Sequence, residues 1–218
     1  VRAAECVRTA LAAQLRAQGL KDVHEVFLDT TYAGPRWELP PQPEVLRALA
    51  ALCAEEARRN PRTLFIVGSY QIGKERAAAA IGRAVGSSVW AASRRFQMLA
   101  ACEWADEKLD GGGKLLFTTD SVGCSVRIDT MMGLSHERLL SSLEHTKGEH
   151  DTVCAFRPTG WTYSKTWRKL RPWIDNGGRT KIFSIPYSEH SSFSELRELV
   201  NVLRPKKVIP TVNIERTQ

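Results

Sequence analysis

Nowhere in the chain do apolar side chains run on for the ~20 residues that a helix needs to cross a bilayer, so a membrane-spanning class finds no support. Cysteine is sparse and scattered. Cys6, Cys53, Cys102, Cys124 and Cys154 are odd in number and far apart, and no Cys-x-x-Cys pair occurs. That pattern indicates neither a disulfide framework nor a zinc knuckle, and it suits a reducing compartment. The histidines form no His-x-His or His-Glu-x-x-His spacing, so His24, His136, His145 and His150 read as structural or solvated. Internal repeats and low-complexity tracts are missing. No secretory signal precedes Val1, and the chain reads as a piece cut from a longer protein.

What is present is ordinary for a globular domain. The 218 residues are 43% hydrophobic and 25% charged, enough to bury a substantial core as one large domain or two small ones. Lys and Arg number 31 against 24 Asp and Glu, a net charge of +7. A basic balance suits a polyanionic partner. The basic residues come in short groups (Arg58-Arg59-Arg62, Arg94-Arg95, Arg168-Lys169-Arg171, Lys206-Lys207) and not as a tail, so charge permits such a partner without demanding it.

Periodicity supplies the elements. Ala3, Val7, Leu11 and Leu15 predict an amphipathic helix over 2–18, stopped at Gly19. Val26-Phe27-Leu28 predicts a short strand ending at Asp29, and four prolines between 35 and 43 predict an irregular crossing between layers or domains. Helices are expected at 43–60, 74–85, 93–108 and 192–203. Strands are expected at 63–67, 88–91, 115–117, 153–156, 182–185 and 208–209. Short strands alternating with helices make the fold class α/β.

Three constellations could carry chemistry. Gly68-Ser-Tyr-Gln-Ile-Gly-Lys74-Glu75 lies between a strand and a helix and nearly matches a phosphate-binding loop. Glu75, however, stands where a Ser or Thr hydroxyl should meet magnesium. A tight strand–helix connection and a nucleic-acid phosphate near Lys74 are the other readings. In Pro186-Tyr-Ser-Glu-His190-Ser-Ser-Phe193 a histidine is flanked by hydroxyls and a carboxylate. It is a candidate metal ligand, although Ser191 or Ser192 with Glu195 also resembles a helix capping box. Asp29, at the end of its strand, is placed either as an active-site carboxylate or as a turn-forming Asp before Thr-Thr.

Taken in order, five blocks resemble one family: Val26–Tyr32, Leu64–Arg76, Ala155–Thr162, Ile185–Phe193 and Pro205–Asn213. They look like the DNA cross-link-repair nucleases, which include Artemis and Apollo and form the DNA-directed branch of the β-CASP metallo-β-lactamases. The resemblance covers roughly residues 22–214. It implies part of a metallo-β-lactamase αββα sandwich with an inserted α/β β-CASP cap. The implied division is 1–41 for the end of the first sandwich segment, 42–158 for the cap, and 159–218 for the returning segment. Carried over, Asp29 matches the motif A acid and His190 the motif B histidine, which makes His190 a metal ligand. Val212 falls at motif C, where RNA-processing relatives have histidine and the DNA-repair branch has valine.

The family's other ligands, in a His-x-His-x-Asp-His block, a further His and a Gly-Asp-Phe turn, are not in this sequence and are expected upstream of Val1. The implied activity is zinc-dependent 5′-to-3′ exonuclease hydrolysis of phosphodiesters in interstrand cross-link and double-strand-break repair. The implied setting is the nucleus, with one or two zinc ions, DNA bearing 5′-phosphorylated ends as partner, and repair-complex proteins beside it. Thr30, Lys74, Ser188 and Ser191 are the residues expected to receive a terminal phosphate. A DNA-binding scaffold that has lost its metals and a phosphotransferase built on the loop at Lys74 are the alternatives.

Overall fold

The structure, a computed structural model, describes residue 10 and residues 12–19, 23–70, 72–104, 106–109 and 113–212. It divides into two compact units. The larger is continuous, 40–187, and the smaller joins 1–39 to 188–218.

The larger unit is a parallel sheet with helices on both faces. Helix α2 (Gln42–Arg59) starts where Pro43 costs nothing, because a proline near a helix start lacks only an N–H that would be unpaired anyway. Its buried residues Val45, Leu49, Cys53 and Glu56 repeat every three or four positions and turn one face to the sheet. Strand β2 (Thr63–Ser69) is buried along its whole length. Next come α3 (Glu75–Val85), β3 (Val89–Trp90), α4 (Ser93–Ala101), β4 (Phe117–Thr118), β5 (Val126–Thr130), α5 (His136–Glu144) and β6 (Thr152–Pro158). The antiparallel pair β7 (Trp173–Asp175) and β8 (Thr180–Ile185) completes the sheet, whose order is β4-β3-β5-β2-β6-β8-β7.

Alternation along the central strands separates two cores. Phe65 and Val67 of β2, with Cys154 and Phe156 of β6, pack against Leu49, Ala78 and Ile81 of α2 and α3. Leu64 and Ile66, with Val153 and Ala155, face Leu139 and Leu143 of α5 on the other side. Side chains this completely buried contribute roughly 1.5–3 kcal/mol each, so β2 and β6 hold most of the unit together.

The connections place an opening at one end of the sheet. From β2 the chain moves outward to β3 and β4, returns as β5 beside β2, then crosses through α5 to β6 on the other flank. The order therefore reverses around β2, and the carboxyl ends of β5, β2 and β6 border the crevice that such a reversal creates.

Residues 159–187 lie in the larger unit, where β8 pairs with β6 over six residues and β7 closes the edge. Two sequence-based expectations need correcting. Helix α4 stops at Ala101, short of 108, where Glu103 takes a left-handed φ of 61°. The expected strand at 115–117 reduces to a bridge between Lys108 and Leu115 followed by β4. Of the helix expected over 2–18, the described part is α1 (Ala12–Ala17). Cys53, Cys124 and Cys154 are buried free thiols and Cys102 an exposed one; Cys6 lies outside the described residues.

The smaller unit holds α1, β1 (Glu25–Leu28), α6 (Phe193–Leu203) and β9 (Lys207–Pro210), with β1 and β9 paired in parallel. Tyr32, Leu39 and Leu196 are its buried apolar residues among those described.

Gly82 shows how closely α3 sits on the larger sheet. A Cβ there would lie 2.8 Å from the Ser87 carbonyl oxygen and 2.9 Å from a Val89 methyl. Alanine gains about 1 kcal/mol of helix propensity over glycine, but overpacking against backbone costs about 1–3 kcal/mol. Gly82→Ala is expected to lower unfolding stability by about 1 kcal/mol in urea titration. An unchanged or higher midpoint would mean that α3 is not seated this tightly.

Candidate functional site

The site of the smaller unit begins where β1 ends. Asp29 opens a turn: its Oδ1 accepts hydrogen bonds from the Thr31 amide at 2.9 Å and the Thr31 hydroxyl at 2.6 Å. This is the local bonding that makes Asp a turn former, and it leaves Oδ2 for a distant partner. That partner is His190, whose Nδ1–H donates to Oδ2 at 2.7 Å across 161 positions of sequence. Partial burial pushes the Asp29 carboxyl up, but the Thr31 and His190 hydrogen bonds outweigh it and hold the group below its usual range.

His190 is fixed from the backbone as well. Ser188, almost fully buried, accepts the His190 N–H at 3.0 Å and donates to the His190 carbonyl at 3.3 Å. Two residues further on, Ser192 and Glu195 form a reciprocal capping box that starts α6, so the serine that caps is Ser192 and not Ser191. Buried Tyr32 meets the imidazole edge-on with ring centroids 6.1 Å apart. Thr30 donates its hydroxyl to the Val212 carbonyl at 3.1 Å, which ties the turn after β1 to the segment after β9.

These bonds decide which atoms are left for chemistry. With Nδ1–H on a carboxylate, Nε2 is the ring nitrogen that carries a lone pair, and about half of the His190 side chain is exposed (49%). Metal-binding histidines are oriented this way, with the outer nitrogen donated to a carboxylate. The donor set therefore fits a metal at His190 Nε2, oriented by Asp29. Among the described residues no group of three or more His, Cys, Asp or Glu is assembled to hold an ion, and a single imidazole falls short of the several ligands that a metal site needs.

The expected phosphate-binding residues divide. Thr30 and Ser188 use their hydroxyl hydrogens on carbonyls of the chain, so they position the turn and the loop. Ser191 is half-buried beside His190. Lys74 belongs to the larger unit, where it is the left-handed residue (φ 75°) that caps α3, and its ammonium lies 5.6 Å from the centroid of the Tyr187 ring. The turn around it is filled by protein. Ser69 donates to the Gly73 carbonyl at 2.6 Å, and Arg95 reaches Ser69, the Tyr70 carbonyl and, at 3.1 Å, Glu75. This closed strand–helix connection differs from a loop whose amides cradle a nucleotide phosphate.

Sequence reasoning did not foresee Tyr32 as the wall behind the imidazole or Ser188 as the clamp on its backbone. An aromatic directly after Asp-Thr-Thr and a serine two residues before the histidine were the available signals.

The chain matches one family model and several known proteins. Residues 114–216 match the family model described as DNA repair metallo-beta-lactamase. The DNA cross-link repair protein SNM1 of Arabidopsis thaliana is 40% identical over 196 residues, which cover 88% of this chain and 39% of that protein. The DNA cross-link repair 1A protein of Mus musculus is 37% identical over 195 residues, covering 89% and 18% respectively. The 5' exonuclease Apollo of Rattus norvegicus is 28% identical over 192 residues, covering 88% and 30%. The chain thus spans well under half the length of each of these relatives. In its α/β fold, its motif order and these matches the chain is similar to the DNA-repair branch of the metallo-β-lactamases.

Proposed function

We propose that the full-length protein is a zinc-dependent 5′-to-3′ DNA exonuclease that acts in the nucleus, in interstrand cross-link and double-strand-break repair. The observation that carries this reading is the Asp29–His190 hydrogen bond, which presents one imidazole in metal-binding form. The names of the relatives support the DNA substrate and the direction of attack. The nesting of a continuous unit, 40–187, between the two pieces of the smaller one supports reading it as the inserted cap. The flanking pieces are then the sandwich segments.

Bound zinc supplies Lewis-acid chemistry: it lowers the pKa of water toward neutrality and offsets negative charge at phosphorus. Each residue of this chain has a narrower task. His190 Nε2 ligates. Asp29 keeps the proton on Nδ1 and fixes the plane of the ring. Ser188 and Thr30 hold the two loops that carry these residues. Ser191, the residue that follows His190 in the chain, is the hydroxyl assigned to the terminal phosphate of the strand.

The ligand role is tested by substitution in the full-length protein. His190→Ala is expected to abolish turnover and lower zinc content measured on the purified protein. Asp29→Asn, which keeps the shape but removes the acceptor charge, is expected to cost about 10–100-fold in activity or metal affinity, the usual effect of losing an outer partner. Unchanged turnover by a folded, metal-loaded His190→Ala variant would remove His190 from the centre.

Substrate polarity is tested separately. A 5′-phosphate monoester carries more charge and one more free oxygen than an internal phosphodiester, so a hydroxyl-bearing pocket favours a strand end. A 5′-phosphorylated single strand is expected to be degraded at least about tenfold faster than its 5′-hydroxyl counterpart, which asks for only ~1.4 kcal/mol of discrimination. Ser191→Ala should narrow that ratio more than it lowers the 5′-hydroxyl rate. Equal single-turnover rates on the two strands would contradict the end-recognition reading.

A further inference from the structure

Alternation along the outer strands of the larger unit leaves one face of its sheet half open. Val89, Phe117 and Val126 turn toward the core shared with α2 and α3. Successive residues of a strand point to opposite faces, so Trp90, Thr118 and Arg127 turn the other way. The register sets them in one row: Thr118 of β4 beside Trp90 of β3, Trp90 beside Arg127 of β5, and Arg127 beside Ile66 of β2. Ile66 belongs to the second core, in which Leu139 and Leu143 of α5 meet residues of β2, β6 and β8. Among the described residues, that core takes none from β3, β4 or β5. Parallel strands are normally covered on both faces, yet Trp90, Thr118 and Arg127 are each only half-buried.

Arg127 is the member of the row that the fold does not explain. Its guanidinium lies over the Trp90 ring, 5.8 Å from the centroid, and the indole N–H is pinned to the Thr119 carbonyl at 3.0 Å. Its Nε is buried and donates to nothing, and the side chain makes no ion pair among the described residues. Two positions back on the same face, the Ser125 hydroxyl lies 3.5 Å from buried His150, whose Nδ1 is a second buried atom without a partner. Burial and then the Arg127 charge hold that imidazole below its usual range. Asp129, two positions on, accepts the Thr130 amide at 2.6 Å. A half-buried cation with no partner in the protein is costly, and its complement is an anion.

A cavity of about 250 Å³ opens beside this row, with Thr118 in its wall together with Ser88, Lys114, Asp120 and Cys124. Burial pushes the Cys124 thiol up, and the thiol also feels the charges of Lys114, Asp120 and Arg127, which sets both cations around the cavity. Ser88 spends its hydroxyl hydrogen on the Leu115 carbonyl at 2.7 Å. Thr118 accepts the Asp120 amide at 3.0 Å and donates to nothing among the described residues. Asp120 gives Oδ1 to the Val122 amide at 3.0 Å. Lys114 is exposed and makes no ion pair among the described residues. Two cations and a hydroxyl donor suit a phosphate group. The remaining oxygen of Asp120 suits a hydroxyl of the same molecule. The cavity far exceeds the ~10–15 Å³ that a single water needs, so it has room for the group that carries the phosphate.

We propose that this cavity and the Arg127–Trp90 shelf beside it bind a small sugar phosphate, the chemical class that includes mononucleotides. Arg127 and Lys114 meet the phosphate, Thr118 donates to it, and Asp120 accepts from a sugar hydroxyl. Nothing in this site depends on the nuclease reading.

The test uses the full-length protein, freed of metal by dialysis against chelator, and calorimetric titration with inorganic phosphate and with a deoxynucleoside 5′-monophosphate. The monophosphate is expected to bind the more tightly. Arg127→Met is expected to weaken its binding about tenfold, the worth of one charge-assisted hydrogen bond. Lys114→Gln, at an exposed position, should weaken it by less. Asp120→Asn, which keeps the acceptor for the Val122 amide, should narrow the gap between the two ligands. In phosphate-free buffer Arg127→Met should melt no lower than the unaltered protein, because it removes a charge that has no partner. The effect of Arg127→Met should persist in a His190→Ala background, which separates this site from phosphate bound at the metal centre.

Affinity within about twofold of the original in both Arg127→Met and Lys114→Gln, less than one such bond is worth, would overturn the proposal. So would a lower melting temperature for Arg127→Met with monophosphate binding intact, which would make the arginine a structural contact. A dinucleoside monophosphate with no terminal phosphate that binds as tightly as the mononucleotide would also overturn it, since the face would then read a nucleic-acid backbone.

Discussion

The parallel pairing of β1 with β9 is the constraint on which the site depends. Leu28 lies opposite Pro210 in that ladder, the Thr211 amide donates to the Leu28 carbonyl at 2.9 Å, and the Thr30 hydroxyl extends the seam by one bond to Val212. A parallel pair cannot be closed by a short turn; it needs a crossover, commonly a helix. Here the connection from β1 to β9 contains the whole larger unit and ends in α6, and the capping box at Ser192 fixes where that helix begins. The loop that enters the helix carries His190, so starting α6 and pairing β9 leave the imidazole beside the turn that follows β1. The 2.7 Å bond from His190 to Asp29 is the product of those two backbone constraints.

The same bond explains why neither residue needs deep burial. A carboxylate accepting from an amide, a hydroxyl and an imidazole stays ionised through its partners, while its side chain remains 44% exposed. An ionised acceptor favours the tautomer with the proton on Nδ1 and leaves Nε2 unprotonated. In the larger unit, by contrast, rigidity comes from two apolar cores on either face of β2 and β6. Trp167, buried in one of those cores, seats the stretch between β6 and β7 on that support.

Much of this could be read from the residues. The α/β class followed from the alternation of apolar runs. Asp29 and His190 were singled out by a strand-end carboxylate and a hydroxyl-flanked histidine, and the structure brings them together. Three things were hidden, for different physical reasons. Helix α5 has a serine cap and Leu139 and Leu143 at helical spacing, but at nine residues it is shorter than the windows in which periodicity is persuasive. Strand β7 carries three exposed residues and no alternation to betray it. The boundary at 187 depends on which sheet β8 joins, a non-local pairing that local patterns do not encode. The hydroxyls of Thr30 and Ser188 looked available for a phosphate; only the tertiary arrangement shows that their hydrogens are held by carbonyls of the chain.

The central claim is that Asp29 sets the tautomer of His190 and thereby its readiness to bind a metal. Long-range nitrogen–proton correlation spectra of the histidine rings, recorded on metal-free protein at a pH where the ring is neutral, test it most directly. The account predicts a protonated Nδ1 and an unprotonated Nε2 for His190, with this preference lost in Asp29→Asn. A His190 ring protonated on Nε2 in the unaltered protein would contradict it.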